Sequence, residues 1–232
     1  MKDDLRLAAE VFKVEAKAVA DLAGRLNQDF ERAVELLLSC KGRVVVTGMG
    51  KAGLVAQKIS ATLSSTGSPS LSLHPAEAIH GDLGRVTSSD VVIALSNSGE
   101  TEEVLRLLPI LKKLGAPVIS MTGNPKSQLA RNSDVALDVS VHKEACPLQL
   151  APTSSTTAQM AMGDALAVVL IQRRGFQEKD FALFHPGGAL GKRLLLKVED
   201  IMRSGQSMCI VPPGMPVREV LLQITQARSG CA

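Results

Sequence analysis

Val91-Val92-Ile93-Ala94-Leu95-Ser96-Asn97-Ser98-Gly99-Glu100-Thr101 passes from five apolar residues directly into small hydroxyls and a glycine, ahead of an amphipathic stretch at 102–114. Five apolar residues without alternation read as a strand buried on both faces, the kind that parallel sheets use. The continuation reads as a loop opening a helix, where unpaired backbone N–H groups and the helix dipole favour an anion. Ser96, Ser98 and Thr101 add short donors at that point.

The chemistry recurs at Pro152-Thr153-Ser154-Ser155-Thr156-Thr157, which precedes an apolar helix predicted over 158–174 and stopped by Gly175. Serine and threonine also cap helices with no ligand involved. Two hydroxyl-rich helix starts in one chain point further, to a polyhydroxylated and phosphorylated ligand.

Outward from these segments the pattern repeats. Helices are predicted at 5–25 and 30–39, a strand at 44–46, a helix at 52–64, and further strands at 69–73, 118–121 and 135–139. Alternating strands and helices imply an α/β fold: a five-stranded parallel sheet flanked by helices, a flavodoxin- or Rossmann-like sandwich. Ligands of such sheets bind beyond the carboxyl ends of the strands, where strand order reverses. Residues 47–51, 96–101 and 122–124 fall on that edge.

Gly48-Met49-Gly50-Lys51-Ala52-Gly53 fits the G-x-G-x-x-G of dinucleotide sites. The second strand, however, ends at Leu73 and His74, where an acidic residue would hold a ribose, and no P-loop lysine-hydroxyl pair follows the glycines. A nicotinamide site is therefore disfavoured. Lys51 stands out in this turn, because a lysine at a phosphate-binding edge neutralises an anion or polarises a carbonyl, although it also reads as a solvated side chain.

The 232 residues are 45% hydrophobic and 21% charged, with a formal charge of +3. That suits one sizeable core with a small appendage. Aromatics are 2%, with no Trp or Tyr, and no basic block interleaves with stacking residues, which argues against nucleic-acid binding. Cys40, Cys146, Cys209 and Cys231 lack C-x-x-C spacing, no leader pattern opens the chain, and no apolar run is long enough for a bilayer. A cytoplasmic protein with reduced cysteines and no membrane role is expected.

His74, His80, His142 and His185 all lie in predicted loops or just after strands, where imidazoles serve either as surface rings or as acid/base groups. His74 and His80, with Glu77 or Asp82 nearby, also suggest a metal, but their spacing is not diagnostic. Glu103, one turn into the helix after the serine loop, and Glu144, just before the second hydroxyl segment, are candidate proton-transfer carboxylates. Glu100 and Glu102 suit a capping or dipole role.

On these residues the chain resembles the sugar-isomerase (SIS) domain of bacterial D-arabinose-5-phosphate isomerases. The matching stretches are GMGKAG at 48–53, STGSPS at 65–70, HPAEAIHGDLG at 74–84, SNSGE at 96–100, KEACPLQLAPTSST at 143–156, MGDALA at 162–167 and FHPGGALG at 184–191. SNSGE alone marks only the wider phosphosugar-binding superfamily; the histidine-rich, EACP and HPGGALG stretches together are far more specific.

The resemblance implies reversible conversion of D-ribulose 5-phosphate to D-arabinose 5-phosphate through a cis-enediol, feeding 3-deoxy-D-manno-octulosonate and lipopolysaccharide. It puts catalytic roles on Lys51, Glu103, Glu144 and His185. Substrate contacts are expected from Gly50, Gly67, Ser68, His74, His80, Ser96, Asn97, Ser98, Thr101, Ser154, Ser155 and Thr156. No cofactor is implied, and zinc enters only as an inhibitory ligand of His74. A homotetramer is implied, in keeping with more helical apolar surface than a five-stranded sandwich needs.

Residues 197–232, with Val198-Glu199-Asp200-Ile201-Met202, resemble the start of a cystathionine-β-synthase-type (CBS) regulatory repeat that is incomplete here. The division expected is 1–196 and 197–232. Two rivals remain at this point: a phosphosugar sensor without turnover, and an isomerase of another ketose phosphate. The sensor reading lacks a helix-turn-helix ahead of the domain.

Overall fold

The computed structural model describes residues 2–232. It begins with two helices, α1 (Lys2–Leu22) and α2 (Gln28–Ser39), the second started by Asn27, whose side chain accepts from the Asp29 N–H at 2.8 Å. Alternating elements follow: β1 (Val44–Gly48), α3 (Gly50–Ser65), β2 (Ser70–Leu73), α4 (Pro75–Ile79) and β3 (Val91–Leu95). Then come α5 (Glu102–Leu105), α6 (Leu108–Leu114), β4 (Val118–Thr122), α7 (Gln128–Arg131), β5 (Val135–Asp138) and α8 (Ser154–Arg174).

All five strands are parallel, in the order β2-β1-β3-β4-β5. Strand order reverses between β1 and β3, and their register pairs Thr47 with Ala94 and Gly48 with Leu95. The two carboxyl ends therefore open side by side at the switch point. β1, β3 and β4 are buried at every position, as their unbroken apolar runs require.

Side-chain alternation sends each strand's residues to two cores. Val44 and Val46 join Leu37, Ile59, Leu63 and Leu166 under α2, α3 and α8. Val45 joins Leu73, Val92, Leu107 and Leu111 on the other face. At Gly163 an added Cβ would stand 2.4 Å from Ile59 Cγ1, so α3 and α8 cross too closely for any side chain there.

Two elements differ from the sequence reading. The stretch at 102–114 forms two helices, because Pro109 lacks an N–H and its ring clashes with the carbonyl four residues back, ending α5 at Leu105. The hydroxyl segment before 158 is itself helical: Thr153 is the N-cap and Ser154–Thr157 form the first turn of α8.

The chain divides into two compact units, the first extending to Phe181 and the second spanning Ala182–Ala232. α9 (Glu178–Phe184) runs across this division, placing the His185 turn in the second unit. That unit carries α10 (Ala189–Leu195), α11 (Val198–Ile201) and α12 (Val217–Ala227), with no strand among the described residues. Val198, Ile201, Ile210, Val217 and Leu221 are exposed in it, as expected of a segment too small to bury its own core.

Candidate active site

The loop leaving β3 is a closed turn. Ser96 is buried; its Oγ accepts from the Gly99 N–H at 3.0 Å and lies 2.7 Å from Thr101 Oγ1. The Ser98 hydroxyl accepts from the Glu100 N–H at 3.2 Å. Gly99 sits at φ +69°, and a Cβ there would stand 2.0 Å from Ser127 Oγ and 2.8 Å from Thr122 Oγ1, so this position demands glycine twice over. From outside, the Asn97 carbonyl accepts from the Gly123 N–H at 2.9 Å, and the Glu100 carboxylate accepts from both the backbone N–H and Nε2 of Gln128, each at 2.8 Å. The end of β4 and the start of α7 thus brace the loop.

Against this loop lies a cavity of about 370 Å³. Lys51, in the first turn of α3, lines one side; Ser96, Asn97, Ser98 and Thr101 line the second; Pro152, Thr156 and Gln159, from the α8 approach and its first two turns, line the third. Two long helices thus begin at one small space bordered by hydroxyls and a lysine, which favours an anion. Lys51 is exposed and has no ion pair among the described residues.

Glu144 holds the start of α8 in place. Its Oε2 accepts from the Thr153 N–H at 2.8 Å, the Thr153 hydroxyl at 3.0 Å and the Ser155 N–H at 3.3 Å. Burial by itself would push this carboxyl up, but the hydrogen bonds it accepts from Ser155 and Thr153 outweigh it and hold the pKa below the ordinary value of 4.5. Glu144 is therefore a carboxylate anchored through one oxygen, bonded to the residue next to cavity-lining Pro152. Glu103, half-buried in the first turn of α5, has no hydrogen bond or ion pair among the described residues.

The other expected residues are dispersed. Ser154 and Ser155 are buried in the first turn of α8, and of the three hydroxyls expected there only Thr156 reaches the cavity, with its own Oγ1 donating to the Thr153 carbonyl at 2.9 Å. Gly50 and His74 border a second cavity of about 330 Å³ beside β1 and β2, together with Asp82 and Arg85. His74 and His80 flank α4 as its N-cap and C-cap residues, both exposed. Among the described residues no three His, Cys, Asp or Glu side chains cluster as a metal cage, so His74 does not belong to a ready-made zinc site within one chain.

Gly67 and Ser68 lie at the amino edge of the sheet, between α3 and β2, away from the first cavity. Gly67 is shaped by packing: φ is +86°, and a Cβ would meet Phe176 Cδ2 at 2.6 Å. His185, half-buried, begins a turn in which its carbonyl accepts from the Gly188 N–H at 3.1 Å and is approached so closely by Gly191 that a Cβ there would stand 2.1 Å from it. This close approach requires the last glycine of the HPGGALG stretch. Gln159 was not anticipated from sequence. Its one signal was a polar residue three positions after Thr156 in an otherwise apolar helical run.

A family model described as the SIS domain matches residues 37–169. The arabinose 5-phosphate isomerase KdsD of Pseudomonas aeruginosa is 55% identical over 228 residues, which cover 98% of this chain and 70% of that protein. The chain belongs to the SIS-domain arabinose 5-phosphate isomerase family. The Escherichia coli K12 enzyme of the same name is 54% identical over 221 residues, covering 95% of this chain and 67% of that protein. Among solved structures, an Escherichia coli CFT073 protein in complex with arabinose 5-phosphate matches with a TM-score of 0.77 and 43% identity, over 80% of this chain and 98% of that one. The five-stranded parallel sheet with helices on both faces is the fold of this SIS family.

Proposed function

We propose that the chain interconverts D-ribulose 5-phosphate and D-arabinose 5-phosphate through a cis-enediol(ate). The observation that carries this is the convergence of Lys51, the Ser96–Thr101 loop and Thr156 on one cavity at the switch point, in a chain 55% identical to an arabinose 5-phosphate isomerase.

The phosphate is held by Ser98, Thr101, Thr156 and the surrounding N–H groups, with Asn97, Ser154 and Ser155 shaping the two loops and Ser96 fixing the first. The base is drawn from Glu103 and Glu144. It takes the C1 proton of ribulose 5-phosphate as the C2 carbonyl oxygen gains the electron pair. Protonation at C2, with loss of the O1 proton, completes the aldose. Lys51 stabilises the enediolate oxygen, while His185 or His80 moves the oxygen-bound protons. Gly50, His74, Gly67 and Ser68 are assigned to the same substrate by family resemblance. Gly67 and Ser68, at the far edge of the sheet, fit that role only through a neighbouring copy.

No cofactor takes part, and zinc acts only as an inhibitory ligand of His74. The chain works in the cytoplasm as a homotetramer, serving the 3-deoxy-D-manno-octulosonate route. The exposure of Leu5, Phe12, Leu148 and Leu150, at 72–79%, supports association with further copies. Among the described residues no helix is long and apolar enough to cross a membrane. Residues 197–232 are assigned to the beginning of a CBS-type repeat.

The Lys51→Met variant tests the assignment. With ribulose 5-phosphate, kcat falls about 100-fold or more while KM changes by only a few fold, as expected for a group acting on developing charge. Unchanged kcat would remove Lys51 from the mechanism.

A further inference from the structure

Gln159 is 1% exposed and lines the first cavity, yet among the described residues neither its Oε1 nor its Nε2 has a hydrogen-bond partner. Each hydroxyl lining the cavity already has one partner within the protein: Ser96 and Thr101 each other, Ser98 the Glu100 N–H, and Thr156 the Thr153 carbonyl. Buried carboxamides with both ends unsatisfied are rare, because the cost of desolvation goes unrecovered. The side chain sits about one helical turn after Thr156 and lines the same cavity as Ser96, Ser98 and Thr101.

We propose that Gln159 is a substrate-positioning residue that reads the phosphate and its neighbouring hydroxyl together, Nε2 donating to a phosphate oxygen and Oε1 accepting from the sugar hydroxyl on the adjacent carbon. A carboxamide offers one donor group and one acceptor on the same plane. Inorganic phosphate satisfies the donor group well, whereas a hydroxylated phosphoester satisfies both. Gln159 therefore favours a polyol phosphate over the bare anion and fixes the chain of the sugar relative to Lys51. This rests on the isomerase reading above and adds a residue that selects the ligand.

The test compares wild type with Gln159→Met, which keeps length and shape but loses both polar atoms, and with Gln159→Glu, which loses the donor and adds a negative charge. For Gln159→Met the KM for ribulose 5-phosphate rises about tenfold, the loss of one to two hydrogen bonds, while kcat stays within about twofold. Inhibition by inorganic phosphate weakens less than substrate binding does, and the thermal midpoint without ligand is unchanged or higher. Gln159→Glu loses more affinity than Gln159→Met for both ligands. An unchanged KM in Gln159→Met overturns the proposal, as does a lowered thermal midpoint with both ligands weakened equally, which marks a structural role. Absence of turnover in wild type would instead sink the isomerase reading; thermal-shift binding of ribulose 5-phosphate to the same proteins then decides the role of Gln159 by the same comparison.

Discussion

The Glu144 Oε2 lies 2.8 Å from the Thr153 N–H and 3.0 Å from the Thr153 hydroxyl, so a carboxylate nine residues upstream closes the N-terminus of α8. This bond fixes Pro152 and Thr156, two of the residues around the first cavity. One side chain thus couples the stability of a helix start to the geometry of a binding loop.

Because the Glu144 pKa is depressed in the folded protein, its contribution is present above the unfolded value near 4.5 and is lost as pH falls through the lower folded value. Glu144→Ala is expected to lower stability at neutral pH by about 1 kcal/mol, the usual cost of losing a cap. Thermal melting of both proteins from pH 7 down to pH 3 checks it. The gap should close in the acidic range, and a gap of constant size would show that the carboxylate charge is irrelevant.

Gly99→Ala should be among the most damaging single-methyl changes in the first unit. It places a Cβ at φ +69° and 2.0 Å from Ser127 Oγ, so both strain and overlap oppose it. The expected loss is roughly 2 kcal/mol or more in urea unfolding, with a raised KM in whatever folded fraction survives. Stability equal to wild type would mean that the loop relaxes freely and is not a braced phosphate cradle.

Dialysis against EDTA should leave turnover unchanged or higher, and added zinc should inhibit. His74→Ala, read in the same steady-state assay, should blunt that inhibition. Loss of turnover on chelation, restored by zinc, would assign the metal a catalytic part.

Much of this was legible in the sequence because it follows from local rules. Val91–Leu95, five apolar residues without alternation, reads directly as the doubly buried strand β3. The split at Pro109 was equally local but was masked by continuous amphipathic spacing on both sides. Strand order is different in kind, since periodicity says nothing about which neighbours pair. The far-edge position of Gly67 and Ser68, and the separation of Gly50 and His74 from the Lys51 cavity, follow from that order and from the side on which each loop leaves the sheet. Gln159 was hidden for another reason. A glutamine in a helix ordinarily faces water, whereas here tertiary packing buries it at the cavity.

Deuterium transfer offers the most direct test of the whole proposal. Ribulose 5-phosphate incubated with the protein in heavy water, followed by proton NMR, should yield arabinose 5-phosphate carrying deuterium at C2, and Lys51→Met should slow that incorporation about 100-fold or more. Recovery of unlabelled ribulose 5-phosphate with no arabinose 5-phosphate, or product that contains no deuterium after many turnovers, would contradict an enediol(ate) formed in the Lys51 cavity.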